Sequence, residues 1–497
     1  TELDWESVER FFLQEYKPTP ILAPWNLESG FFSLKPASAD ADIASETEDD
    51  FAIGSLDDGE KSSVDTGWAD DAESEPNEEE DEGDERNAVA DPLIERIAGS
   101  AAPRFASFRN AIEIALQTIP DELRRAEADS QRAYQEMWDQ VAAVLAQAEQ
   151  EVSNAKADVE AAKAEAKRTT KKEPHAQKAL KEARGRLKQA KQHLKTAKAE
   201  LKAKENELKV PINAAKKRFK EELSNTKARF IAKLRLRWGD QGRQWVDAAV
   251  GLDEASKKGF EFTPVFGSGG NDGRMEFTRN FRRHLNAIID IDTGRPRDLA
   301  AEWFSAIVRS ESHSVLLSSM DGRDLNVGQL FPGRAGGANM ASGSEGRPTI
   351  NPWEFVLMLE GAVALVVGMT RRGAFGPARI SSPFWVKGAS AGFGSASELE
   401  GTLRGEQWLP LWSEPLQYGE LVELIREARA QVSSGNATTA GDLVRAAARL
   451  GLARGIHSLQ RFAYLKRNGR SHLAVFAGRF RVASRPNQTL LDEIAPW

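Results

Sequence analysis

The chain has 497 residues, no cysteine, 29% charged residues and a formal net charge of −8. Disulfides and thiolate metal sites are excluded, and the length allows two or three domains with cores of their own. The modest total hides a segregation: residues 40–91 hold 22 acidic and 2 basic side chains, residues 154–237 hold 26 basic and 10 acidic, and residues 238–497 hold 30 basic and 27 acidic. The middle block, at net +16, is where a polyanion would dock.

The sequence opens at Thr1 with an amphipathic segment. It lacks a basic n-region followed by an apolar h-region, so no signal peptide is expected, and the absence of a starting methionine suggests processing or a truncated leading part. Residues 4–16 read as a helix with Trp5, Val8, Phe11 and Phe12 on one face. Pro18, Pro20 and Pro24 make Lys17–Asn26 a stiff, extended loop, because each fixes φ and biases the residue before it away from helix. Residues 39–91 carry few apolar side chains and are expected not to order on their own. They read either as a solvating spacer or as an intramolecular decoy that competes with nucleic acid for the basic block.

From Pro120 a long helix is expected. Val141, Leu145, Ala148, Val152, Ala155, Val159, Ala162 and Ala166 recur at spacings of four and three, a heptad seam. Thr169–Pro174 interrupts it. Leu180, Leu187, Leu194, Leu201 and Leu208 then follow every seven residues, with Ala183, Ala190 and Ala197 between them. Small alanines let two helices approach closely, so residues 121–237 are predicted to form an antiparallel coiled-coil hairpin. Its arms would be on the order of 50–75 Å long at 1.5 Å per residue. Pro211 is expected to end or kink the second arm, with helix resuming to Arg237. The lysines of this arm are either a solvated face or a contact for DNA or RNA backbone, which salt dependence would distinguish.

The globular remainder begins near Trp238. Gly267-Ser-Gly-Gly-Asn-Asp-Gly-Arg274 and Phe331-Pro-Gly-Arg-Ala-Gly-Gly-Ala-Asn339 are glycine-rich loops, each with an arginine (Arg274, Arg334) and an asparagine (Asn271, Asn339). Glycine permits close backbone approach to an anion, and the arginine–asparagine pairing suits a phosphate next to a polar edge. Neither loop has phosphate-loop or Rossmann spacing, and each also reads as a solvated turn. A helix over 275–290 follows the first loop and sets Arg279, Arg282 and Arg283 on about one face. Asn351-Pro-Trp-Glu354 opens another helix, with asparagine at the cap and proline at the first position. Its apolar run, Trp353–Thr370, contains Glu354 and Glu360, which favours a buried core helix over a membrane span. Arg371 and Arg372 at its end would cap carbonyls or touch phosphate. Phe384–Ser397 reads as strand and turn. Beyond Pro415, amphipathic helices are expected to about Tyr464. Arg454, Arg461, Lys466, Arg467 and Arg470 then cluster around Asn468-Gly469 with Phe462, Tyr464 and His472, a mixture that suits a nucleic-acid strand or a helix end and turn.

Catalytic signals are sparse. The six histidines (175, 193, 284, 313, 457 and 472) include no pair at metal-ligand spacing, and neither His-Glu-x-x-His nor Gly-x-Ser-x-Gly occurs. Asp290 and Asp292 could bind a metal as a nuclease requires, or end a strand or turn.

Four motifs together resemble one family: Tyr16-Lys-Pro-Thr-Pro-Ile-Leu-Ala-Pro-Trp-Asn26, Gly269-Gly-Asn-Asp-Gly-Arg-Met-Glu-Phe277, Asn351-Pro-Trp-Glu-Phe-Val-Leu-Met-Leu-Glu-Gly361 and Glu406-Gln-Trp-Leu-Pro-Leu-Trp412. The chain is similar to the large subunit of the type I-G (formerly I-U) CRISPR–Cas surveillance complex, over nearly its whole length outside the acidic insertion. That resemblance implies a cytoplasmic, non-catalytic protein without cofactor or metal and with no membrane association. Its partners would be the 5′ handle end of the CRISPR RNA, target double-stranded DNA, the backbone and handle-processing subunits, and a helicase-nuclease recruited in trans. Sequence specificity in such systems comes mainly from guide pairing, the protein reading a short flanking motif. The expected contacts are Asn271, Arg274, Arg282, Arg283, Arg334, Asn339, Arg371 and Arg372, with Arg461, Lys466, Arg467 and Arg470 as a second patch and Lys17, Trp25 and Asn26 as a loop contact. The expected fold is α+β and predominantly helical: an N-terminal segment (1–38), the acidic insertion (39–91), a helical connector (92–120), the basic hairpin (121–237) projecting from a mixed body (238–414), and a C-terminal helical region with a basic tail (415–497).

Overall fold

The structure, a computed structural model, describes residues 4–34, 90–168, 174–252, 258–266, 277–308, 351–371, 378–386, 403–427, 431–432, 435–436, 443, 455–467 and 471–482. These residues are mostly helical with some antiparallel sheet, an α+β composition. The chain divides into two units: Thr1–Phe31, Ala90–Pro120 and Leu223–Trp497 form one, and Phe32–Val89 and Asp121–Glu222 the other.

In the first unit, Asp4 caps α1 (Trp5–Arg10) by accepting from the Glu6 amide, and the chain continues as a π-helical stretch, Phe11–Glu15. The wider turn rotates the expected apolar face. Trp5 and Phe11 stay exposed, while Phe12 turns to Phe304 (5.0 Å between centroids) and Trp353 (5.9 Å). Tyr16–Asn26 forms no regular helix or strand, as its prolines require, yet Ile21, Leu22, Ala23 and Trp25 are completely buried. A buried loop must satisfy its backbone: the Trp245 indole donates to the Leu22 carbonyl at 2.7 Å.

Helices α2 (Pro92–Gly99) and α3 (Ala106–Thr118) follow in this unit. Further on come α6 (Asp240–Ala249) and the antiparallel pair β1 (Val250–Leu252) and β2 (Phe260–Phe262). Next are α7 (Phe277–Ile288), α8 (Ala300–Val308) and α9 (Pro352–Ala362). The Asn351 side chain caps α9 through the Trp353 amide (3.1 Å) and donates to the Trp303 carbonyl (2.7 Å), so one residue starts the helix and ties it to α8. The apolar run does not stay helical to Thr370: α9 stops at Ala362, and Gly368–Arg371 is strand β3, paired with β4 (Ala378–Ser381). Arg371 therefore sits in a strand rather than at a helix end.

The C-terminal part departs most from expectation. Only α10 (Tyr418–Glu427) is a helix of more than one turn among the described residues beyond Pro415. β5 (Trp385–Val386), β6 (Leu403–Trp412), β9 (Ile456–Arg467) and β10 (Ser471–Arg481) form an antiparallel sheet in the order β10-β9-β6-β5, and Gln431–Val432 (β7) pairs with Gly435–Asn436 (β8). Residues 456–464, expected as helix, lie in a central strand. That strand is paired along both edges, by β6 and β10, and its apolar residues do not alternate cleanly, so the run imitates a helical stripe.

In the other unit, α4 (Asp121–Arg168) packs against the first part of α5 (Pro174–Arg237). Val152 and Ala155 meet Ala190, flanked by Leu187 and Leu194. Asp158 pairs with Arg186 (3.5 Å) and Glu151 with His193 (3.3 Å), so the partner number on α5 rises as that on α4 falls. Tyr134 packs on Ile212. α5 does not end at Pro211. One lost backbone hydrogen bond is outweighed when helix on both sides is already propagated and Ile212 is packed. Near the start of α4, the Ser33 amide donates to Glu127 (2.8 Å), and Ser130 Oγ and Gln131 Nε2 donate to the carbonyls of Leu34 (3.1 Å) and Ser33 (2.8 Å). Among the described residues no helix is long and apolar enough to cross a membrane.

Candidate nucleic-acid interface

Asn271, Arg274, Arg334, Asn339, Arg372 and Arg470 lie outside the described residues, as do both glycine-rich loops. The backbones of Arg371, Lys466 and Arg467 lie in β3 and β9.

Arg282 is not a surface cation. It is completely buried on α7, donating to Asp91 (2.8 Å) and to the carbonyls of Ser29 (2.6 Å) and Thr278 (3.1 Å). Burial alone would raise the Asp91 carboxyl, but Arg282, Arg279 and the Leu93 amide outweigh it and hold it below its ordinary value. The expected loop contact also changes character. Lys17 is exposed, but Trp25 and Asn26 are buried and present no side-chain surface to a ligand. Arg283 is half-buried.

Arg461 is two-thirds covered. Its guanidinium makes a two-pronged pair with Glu406 (Nε to Oε2 3.1 Å, second nitrogen to Oε1 2.7 Å) and lies 4.9 Å above the Trp408 ring, whose indole N–H also donates to Glu406 (2.8 Å). A charge so neutralised braces β6 against β9 more than it attracts phosphate.

The opposite face of the same sheet offers different chemistry. Phe462 on β9 lies directly across from Phe476 on β10, edge to face at 5.8 Å. Phe476 is 56% exposed on an edge strand. A register shift between Phe476 and Gly478 returns Arg479 to the face of Phe476, where it is exposed and donates to Ser458 Oγ (2.9 Å). An exposed ring beside a cation is what a base and its phosphate require. Sequence reasoning named Phe462 but missed Phe476 and Arg479. Their signal was a second run of alternating aromatic and basic residues, Phe476-Ala-Gly-Arg-Phe-Arg481, just past the first.

The paired aspartates are engaged internally. Asp290 accepts from the Thr293 amide and hydroxyl (2.8 Å each) and pairs with Arg297 (3.4 Å), while Asp292 pairs with Arg96 (2.8 Å). Among the described residues, no cluster of three or more histidine, aspartate or glutamate side chains could hold a metal ion. A cleft of about 220 Å³ opens beside Pro20, Ser107, Asn110 and Trp238–Gly242, and its one charged group, Asp240, would repel phosphate.

The chain matches no protein-family model and no curated protein.

Proposed function

We propose that this chain is the non-catalytic large subunit of a type I-G CRISPR RNA-guided surveillance complex. In this reading it inspects the motif flanking a target, holds opened DNA and brings a helicase-nuclease to it. The sheet face of Phe462, Phe476 and Arg479 carries the reading, because it joins a stacking surface to a cation and thus suits a separated strand. The glycine-rich loops with Asn271, Arg274, Arg334 and Asn339 are assigned to the flanking motif or the guide handle. α4 and α5 are read as an antiparallel coiled-coil hairpin projecting from a mixed body, and the protein as cytoplasmic.

The test is binding of a labelled single-stranded oligonucleotide by the full chain. Phe476→Ala is expected to weaken binding by about 1–3 kcal/mol, and Arg479→Gln to flatten its salt dependence. Unchanged affinity in both variants would remove this face from the account.

A further inference from the structure

Helix α5 has a second surface that the packing against α4 does not use. Lys181, Arg184, Lys188, Lys191 and Lys195 are all exposed. Their spacings of three, four, three and four residues place them within about 80° of the helix circumference, in a line about 21 Å long. Arg186 and His193, which pair with Asp158 and Glu151 of α4, lie on the other flank. On the stripe's own side helical spacing places Glu149, Lys156 and Glu160 of α4, two acids and one base against five cations, so the partner helix leaves most of the stripe's charge uncompensated. Like charges three and four residues apart on one helix cost about 0.2–0.5 kcal/mol per pair, a repulsion that a docked counter-charge relieves.

We propose that the acidic segment of this same chain occupies that edge in the free protein, with Asp70–Glu85 as the docking run. Three observations favour this occupant. The run holds 11 acidic and no basic residues. It is tethered: Leu34, the last described residue before the segment, is held by Ser130 of α4. And it can reach. Asp158, the α4 residue level with Arg186, lies 28 residues beyond Ser130, about 42 Å along the helix, whereas the 36 residues from Leu34 to Asp70 span up to about 120 Å when extended. Tethering gives such a run an effective concentration in the millimolar range, above that of a free polyanion in dilute solution. The proposal concerns an intramolecular contact and does not depend on the surveillance-complex reading.

The experiment is zero-length carbodiimide coupling of the full-length chain, mapped by mass spectrometry. It is paired with binding of labelled heparin, a polyanion without bases, to the wild type and to a variant whose acidic residues in 70–85 are changed to their amides. Amide links from 70–85 to Lys181, Lys188, Lys191 and Lys195 are expected, lost in about 1 M salt, where screening shortens to about 3 Å. The amide variant is expected to bind heparin about tenfold more tightly than the wild type. Links confined to other lysines, or equal heparin affinity in the two proteins, would overturn the proposal. The coupling result needs no variant, so a folding defect in the amide form leaves it decisive.

Discussion

The carboxylate of Glu360 on α9 accepts hydrogen bonds from both the amide (2.8 Å) and the hydroxyl (2.6 Å) of Thr19, and a third from the Tyr16 hydroxyl (2.5 Å). One half-buried acid thereby fastens the proline-rich loop to a core helix. Burial raises the Glu360 carboxyl above its ordinary value despite these donors, and burial and Glu360 together hold Tyr16 in its neutral form. The folded state binds this proton more tightly than the unfolded state, so stability falls as pH rises from the ordinary glutamate range through the raised value. Urea melts of wild type and Glu360→Gln across pH 4.5–8 should show this slope in the wild type and a flatter one in the variant.

Asp91 has the opposite sign. Its carboxyl is held low by Arg282 and Arg279 against the cost of burial, so its stabilisation is present at neutral pH and is lost as pH falls below the ordinary aspartate value. Asp91→Ala would strand the Arg282 guanidinium in the interior and should cost about 3–5 kcal/mol in urea unfolding. Asp91→Leu combined with Arg282→Met should cost less than either single change, because neither charge is then left buried alone.

Gly30 adopts φ +85°, and a Cβ built there would lie 2.4 Å from the Cβ of Asp91. The conformation alone disfavours a side chain by about 1–3 kcal/mol, and the collision adds to it. Gly30→Ala should therefore lower the urea midpoint by about as much as Asp91→Ala.

Glu406 and Arg461 lock β6 to β9 over the Trp408 ring. Glu406→Gln keeps an acceptor but removes the charge, and should destabilise by about 1–3 kcal/mol. If Arg461 acts only as this brace, the same change should leave oligonucleotide binding unaltered; tighter binding would show that the freed guanidinium reaches the ligand.

Where structure follows from local spacing, the sequence was readable. The apolar heptads anticipated the contacts of Val152, Ala155 and Ala190, and Asn351-Pro352 anticipated a capped helix. The prolines of 18–24 anticipated an irregular segment, though not that it would be buried. What stayed hidden depends on distant partners. Arg282 resembles any basic residue on a helix until Asp91, 191 positions away, is placed beside it. β9 imitates a helix until β6 and β10 cover its two sides. The motifs behind the family resemblance supply Tyr16, Thr19, Glu360, Glu406 and Trp408, all of which are bonded internally. Much of their length records packing, and the candidate ligand surface lies outside them, at Phe476 and Arg479.

The most direct test of the central claim is reconstitution of the guide-bearing particle with and without this chain, measuring target-duplex affinity and recruitment of the helicase-nuclease. Omission is expected to abolish recruitment and to weaken duplex binding, while the chain alone cleaves nothing. Equal affinity and equal recruitment without the chain would contradict it.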